Sequence, residues 1–327
     1  MGVRSTDKGS EGIGNFKVID GKSIELTKSS RISEGTNKIN LPKVFFDILM
    51  VGGGGAGGSS GGGGAGGMVQ INNADLIPIS NNVISETANY GVTFTITVGN
   101  GGAYSPHSNG GDTILSNPYY PVGIITAFGG GRGGICCPNA SGYPGGSGGG
   151  VSGSGPGNMS GGTGVQPSKS YPTLGPGYTI VHNAGNRGAD GYSAFPTSGG
   201  GGAGGAGGGW TTTEGPALGG NGLATDILTP GTPITYAGGG SGSNAPAYNA
   251  PGGGGAYGGN GTANTGGGGG GGGNGGSGFA VIRFPVAANP GLSAPQISST
   301  GTLQPSPADY VRIYKFTGTG TFSVSAS

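Results

Sequence analysis

A chain of 327 residues with 87 glycines departs far from ordinary globular usage, which is roughly 7% Gly. Charged residues make up 8% and the formal net charge is +1, which excludes a charge-driven disordered tail and a strongly basic nucleic-acid binder. The glycine tracts carry no Gly-X-Y period, so a collagen triple helix is excluded as well.

More than half of the charges fall before Leu49, which marks a boundary near Leu41 and Pro42. Residues 1–43 read as short β segments: 16–19 and 23–27 alternate apolar and polar, with Asp20-Gly21 as a hairpin turn between them. This segment is too small for its own core and is expected to dock on the rest of the chain or on a partner. It lacks the apolar region of a signal peptide, so none is expected. The first six residues fit a myristoylation pattern, a short match to which no weight is given. No stretch reaches the roughly 20 apolar residues of a membrane-spanning helix, and no membrane insertion is expected.

Residues 43–51 form a nearly continuous apolar run, which predicts a strand covered on both faces. It feeds into GGGGAGG at 52–58, and the same heptapeptide recurs at 61–67 after Ser59-Ser60. Residues 91–99 give the cleanest strand, with Thr93, Thr95 and Thr97 on one face and Phe94, Ile96 and Val98 on the other. Asn100-Gly101 turns it. Further strands are predicted at 113–115 and 124–128, the second running into the glycines of 129–134. Cys136 and Cys137 are adjacent; neighbouring Cα atoms sit about 3.8 Å apart, below the usual disulfide span of roughly 4.4–6.8 Å. Two free thiols are expected, with a strained vicinal disulfide as the alternative. From 145 to 278 glycine tracts alternate with inserts rich in Ser, Thr, Asn, Pro and aromatics, and the run of eight glycines at 266–273 leads to the apolar strand 279–284. Residues 285–309, rich in proline, read as an extended linker, and 310–316 as an alternating strand turned by 317–320 into 321–324.

Fixing a glycine backbone costs on the order of 1–2 kcal/mol, and glycine has no side chain to bury. The tracts are therefore either disordered or packed backbone against backbone. Apolar strands punctuate them and charge is low, which favours packing. Extended helices with three residues per turn leave every N–H and C=O pointing outward, and close neighbours of either direction can satisfy them at about 0.5–1.5 kcal/mol per bond.

The order of motifs resembles the glycine-rich domain of tail-fibre and receptor-binding (adhesin) proteins of tailed bacteriophages. An apolar strand enters a glycine tract (46–51), and a Thr-rich strand ends in a glycine turn (93–102). Then come a Gly-Asp-Thr segment (110–114), an Ile-Thr-Ala strand entering more glycine (125–131) and a Thr-Tyr-Ala-Gly-Gly-Gly step (235–240). The close is Gly-Ser-Gly, apolar residues, Arg283 and Phe284. The match covers residues 44–284. It implies a mostly β and irregular fold in which short strands flank a bundle or sandwich of packed polyglycine II helices, with little or no α-helix. It also implies loops at one end that bind the host surface. One departure is that the Phe-Thr-x-x-Gly-Thr-Phe-x-Val segment, which usually precedes the first apolar strand, stands here at 316–324. The terminal strand is accordingly expected to return and pair beside 44–51, in the same chain or in a neighbouring subunit.

Chemistry is sparse. His107 and His182 are the two histidines, with no nucleophile–base pair, metal-ligand spacing or nucleotide motif around them, so no enzyme, cofactor or metal is expected. Arg132 stands in a lone Arg-Gly-Gly, too little basic charge for nucleic acid. Aromatic residues in the inserts suit saccharide or protein surfaces, offering rigid apolar area with a polar handle. The candidate receptor-binding residues are Trp210 above all, then Tyr119, Tyr120, Tyr143, Tyr171 and Tyr248; the competing reading has such rings capping glycine tracts locally.

The expected organisation is a docking segment at 1–43, the glycine-rich domain at 44–284, a linker at 285–309 and a C-terminal β segment at 310–327. The expected function is attachment: a subunit on the virion exterior, made in the host cytoplasm. It would bind a host cell-surface glycan or protein and hold other virion proteins through residues 1–43, alone or as a homo-oligomer. The alternative is a purely structural virion part, such as a capsid fibre or decoration protein. An ice-binding bundle would need regular threonine rows, and the inserts are too irregular for that.

Overall fold

In a computed structural model the chain divides into two compact units, Met1–Leu41 and Pro42–Ser327. The structure describes residues 15–19, 22–26, 44–74, 79–80, 83–84, 92–118, 120–136, 140–153, 159–168, 170–171, 178–191, 197–209, 216–245 and 247–325. In the first unit, β1 (Asn15–Ile19) and β2 (Lys22–Leu26) pair antiparallel, with Ile19 opposite Lys22, as the Asp-Gly turn signal predicts.

The second unit is β-sheet and irregular backbone. Its strands are β3 (Phe46–Val51), β4 (Met68–Ala74), the short pair β5 (Ile79–Ser80) and β6 (Val83–Ile84), β7 (Phe94–Thr97), β8 (Thr113–Asn117) and β9 (Tyr120–Ala127). They continue with β10 (Thr179–Ala184), β11 (Leu223–Thr225), β12 (Ile234–Tyr236), β13 (Phe279–Pro285), β14 (Ile297–Ser299), β15 (Thr302–Gln304), β16 (Tyr310–Phe316) and β17 (Gly320–Val324). Helical structure among the described residues amounts to two 3-10 turns, Gln166–Ser168 and Ala294–Gln296. One antiparallel sheet has the order β10-β4-β3-β13-β16-β15 and another β14-β17-β7-β8-β9.

β3 is buried along its whole length because it lies inside its sheet with both faces covered. Phe46, Ile48 and Met50 join one apolar core, with Ile71, Phe94, Ile96, Leu115, Ile125, Phe284 and Phe322. Leu49 and Val51 join a second, with Phe279, Val281, Ile227 and Tyr236. β7 alternates as its sequence predicts, Phe94 and Ile96 buried and Thr97 exposed.

The C-terminus corrects the expectation of pairing beside 44–51. β16 pairs with β13, and it is β13 that lies between β16 and β3. β17 leaves for the other sheet and pairs with β7. The chain itself thus supplies both partners. The rings explain the choice: pairing with β7 stacks Phe322 on Phe94 at 4.9 Å and sets it edge-on to Phe46 of β3 at 5.5 Å, in the core to which both sheets contribute. The proline-rich stretch also does more than link, giving β14 to one sheet and β15 to the other.

Beyond the strands, the glycine tracts pack as rods. The N–H groups of Gly52, Gly55 and Gly58 bond the carbonyls of Gly67, Gly64 and Gly61. Those of Gly53 and Ala56 bond Gly111 and Ser108, and those of Gly54 and Gly57 bond Gly276 and Gly273. Partners thus recur every third residue, the repeat of a threefold extended helix. The carbonyls reach three more segments: Gly53 and Ala56 accept from Gly130 and Gly133, Gly55 and Gly58 from Gly269 and Gly272, and Gly54 from Gly102. The tract 61–67 repeats the scheme, with Gly62 and Ala65 bonding Ser198 and Gly201, Gly63 and Gly66 bonding Gly269 and Gly266, and Gly64 and Gly67 bonding Gly131 and Phe128. Glycine is required by this spacing: a Cβ on Gly54 would land on the carbonyl oxygen of Gly267, and one on Gly63 on that of Gly55.

Side chains seal the junction of sheets and rods. Thr113 Oγ1 donates to the Val51 carbonyl at 2.7 Å and accepts from Gly99 N–H at 3.0 Å, while Asp112 Oδ1 accepts from Gly129 N–H at 2.8 Å. These are the Asp and Thr of the Gly-Asp-Thr motif.

Candidate functional site

Val51 feeds the first rod and Met68 leaves the second, so the Ser59–Ser60 reversal lies at the end remote from β3 and β4. Other turns gather round it. Ser60 N–H donates to Ser152 Oγ at 2.8 Å, Ser243 N–H to the Ser60 carbonyl at 2.8 Å, and Gly272 N–H to the Gly58 carbonyl at 2.7 Å. Gly258 N–H reaches the Gly271 carbonyl, and the Ser108 carbonyl caps Ala56 N–H. The backbone of these turns is held by the rods beneath, and their serine hydroxyls are spent locally: Ser60 Oγ and Ser152 Oγ bond each other at 2.9 Å, and Ser108 Oγ accepts from Ala103 N–H at 2.9 Å.

Two tyrosines stand out there. Tyr104 is 36% exposed and Tyr257 52% exposed. Between them runs a ladder of side-chain amides: Asn274 Oδ1 accepts from Tyr104 N–H at 2.7 Å, and Asn260 Oδ1 accepts from Asn274 N–H at 2.9 Å. The His107 ring sits edge-on to Tyr104 at 4.6 Å. On the other side of the 103–108 loop, Asn109 Oδ1 accepts from Arg132 N–H at 2.9 Å, and the Arg132 guanidinium lies over the Tyr143 ring at 3.6 Å. The result is a strip of aromatic rings and amides with one cation, a surface that can stack on sugar rings and exchange hydrogen bonds with hydroxyls.

The sequence candidates fall unevenly on this strip. Tyr143 is on it, half-buried under Arg132. Tyr248 is half-buried, its hydroxyl donating to Asn221 Oδ1 at 3.0 Å. Tyr171 requires correction: it is 2% exposed and offers no surface. Its hydroxyl accepts from Gln166 Nε2 at 3.0 Å and donates to Asn183 Oδ1 at 3.1 Å, and burial holds its pKa well above the usual tyrosine value. Gln166, wholly buried, also accepts from Phe128 N–H at 2.7 Å, so Tyr171 belongs to the polar plug that closes the rods near β9 and β10. Trp210 and Tyr119 lie outside the described residues, and Tyr120 opens β9 with its side chain outside them.

Sequence reasoning passed over Tyr257, Asn109, Asn260 and Asn274. The available signal was an aromatic or amide side chain set between glycines, as Tyr257 is between Gly255 and Gly258. A separate open cavity of about 380 Å³ lies by β10 and β11, lined by Gln70, His182, Thr225 and Asp226 among others. Burial lowers the His182 pKa, and a hydrogen bond with the Ala224 backbone works against that.

A family model described as a glycine-rich domain matches residues 32–285. Neither curated proteins nor solved structures give a match to the chain.

Proposed function

The chain belongs to the glycine-rich domain family, and from that premise we propose that it is the attachment subunit of a tailed bacteriophage, a tail-fibre or adhesin protein that binds the host surface with the ends of its rods. The observation that carries the reading is the gathering of rod turns at one end, with Tyr104 and Tyr257 exposed beside Asn260 and Asn274. The order of motifs across 44–284 supports the phage assignment by resemblance. Rigid rods suit the task, because a receptor site made of turns gains affinity when its backbone is fixed before binding. In this reading residues 1–43 hold other virion proteins, and the receptor is a surface glycan or protein.

Labelled protein on candidate host cells is the test. Wild-type protein is expected to bind and to block phage adsorption, and Tyr104→Ala with Tyr257→Ala to lose binding at an unchanged melting temperature. Trp210→Ala is a further candidate of the same kind. Failure of the wild-type protein to block adsorption, with electron microscopy placing it on the capsid, would assign it a structural role instead.

A further inference from the structure

We propose that Arg132, laid on Tyr143 beside Asn109, is a recognition point for an oxyanion, the carboxylate or phosphate of an acidic saccharide. This rests on the attachment reading and names the ligand class of that surface. Among the described residues Arg187 and Arg283 each hold an aspartate, Asp190 and Asp47 respectively, whereas Arg132 and Arg312 hold none. Arg132 instead has its guanidinium held flat on an aromatic face at 3.6 Å. Its backbone is pinned on both sides: its N–H donates to Asn109 Oδ1 at 2.9 Å, and its carbonyl accepts from Tyr143 N–H at 3.1 Å.

The stacking leaves one group that no described residue meets with a hydrogen bond. Arg132 Nη1 is buried without a hydrogen-bond partner, as is His107 Nδ1 in the neighbouring loop. A buried donor on a charged group is expensive to leave unpaired. Nη1 itself is closed to a ligand, but Arg132 as a whole is only half-buried, so an oxyanion meets the open part of its side chain. A stacked guanidinium is pre-ordered for a planar, two-pronged acceptor, and carboxylate and phosphate oxygens match it. The amides of Asn109, Asn260 and Asn274 and the exposed rings of Tyr104 and Tyr257 suit the rest of a sugar chain, whereas a lone cation on this strip does not suit a nucleic acid.

Binding of the full chain to three probes tests this: oligogalacturonate for the carboxylate, glycerol-phosphate teichoic acid for the phosphate, and neutral dextran as the control. Wild-type protein is expected to bind one or both acidic probes in a salt-sensitive manner and dextran weakly. Arg132→Gln is expected to weaken acidic binding on the order of tenfold or more at an unchanged melting temperature, while Arg187→Gln leaves it unchanged. Equal binding by wild type and Arg132→Gln, or preference for dextran, overturns the proposal. If Arg132→Gln does not fold, Tyr143→Leu, which removes the stacking face and keeps the charge, is expected to weaken acidic binding; unchanged binding overturns the proposal. The two readings fail separately. Blocking of phage adsorption by Arg132→Gln as efficient as by wild type removes the oxyanion site and keeps attachment. Arg132-dependent binding of acidic saccharides without blocking removes attachment and keeps the site.

Discussion

Asp47 on β3 and Arg283 on β13 stand directly opposite each other in register, Nε to Oδ2 at 2.8 Å, with side chains only 5% and 7% exposed. Both members make further contacts. Asp47 Oδ1 accepts from Asn73 N–H at 2.9 Å, and the guanidinium lies over the Tyr310 ring at 4.6 Å. Arg283 is the arginine that follows the apolar run in the closing motif of the glycine-rich block, and its partner is set in the first apolar strand. The pair therefore ties the two strands that bracket the block.

Removing one member leaves the other as an uncompensated buried charge. Asp47→Ala is expected to cost about 3–5 kcal/mol in urea unfolding. Replacing both, with Asp47→Leu and Arg283→Met, is expected to recover most of that, because a buried pair offsets its own desolvation only narrowly. A double variant as unstable as the single one would show that the pair contributes more than its charges.

Glycine positions divide by what a methyl group would meet. Gly63→Ala places its Cβ on the Gly55 and Ala56 carbonyl oxygens, which belong to a rod fixed on all sides, whereas Gly318→Ala meets nothing within 4 Å. Gly63→Ala is expected to lower the melting temperature by roughly 5–10 °C and Gly318→Ala to leave it within about 1 °C. Equal melting temperatures would mean that the rods have room that their hydrogen bonds deny.

Much of the scaffold was legible in the sequence for a physical reason. An apolar run such as 46–51 has one stable place, between two covered faces, and a tract without side chains has one way to order, against other backbone. β4, β10, β11 and β12 were not legible, because residues such as Gln70, Asn72, His182 and Thr225 break the apolar alternation on which strand prediction depends. The partner of the C-terminal strand was set by the ring of Phe322, a tertiary contact that local pattern does not contain. The site was legible only as a class of residue. Aromatic rings in the inserts pointed to a surface, but whether a ring faces out, as Tyr257 does, or seals a plug, as Tyr171 does, depends on which rod end it occupies.

The run 266–273 gives a direct readout of the rods as a solid interior. Gly268 and Gly271 donate to the Gly238 and Ser241 carbonyls, Gly269 and Gly272 to Gly55 and Gly58, and Gly270 to Gly259. Their amides are expected to exchange on the order of a thousandfold or more slower than unstructured glycine, since opening them requires parting several rods at once. Fast exchange throughout the run would leave the fold with its apolar cores alone.

Truncation at Asp309 removes β16 from beside β13 and β17 from beside β7. It uncovers an edge in each sheet and takes Phe316 and Phe322 from the main core. Loss of cooperative unfolding is expected. The milder Phe322→Ala is expected to cost about 3–5 kcal/mol, and Leu303→Ala, at a 54% exposed position on β15, close to nothing. A truncated chain with the stability of the full one would return the C-terminal strands to the role of an accessory tail.

Stability is expected to fall at both ends of the pH scale, for opposite reasons. Burial lowers the His182 pKa below its ordinary value of about 6.5, so the folded protein resists the proton that the unfolded chain accepts. In that window the unfolded state binds more protons, and stability declines as pH drops from about 7. His182→Gln should flatten this acid limb. At the other end, burial raises the pKa of Tyr171, Tyr236 and Tyr310 above the ordinary value of about 10. The unfolded chain then releases its phenol protons first, so stability declines as pH climbs above about 10. Tyr171→Phe should flatten the alkaline limb while losing about 1 kcal/mol near neutrality, since the Gln166 and Asn183 hydrogen bonds go with the hydroxyl. Tyrosinate absorbance followed alongside urea titrations reads both effects, and an alkaline limb equally steep in Tyr171→Phe would place the late-ionising phenols at Tyr236 and Tyr310 alone.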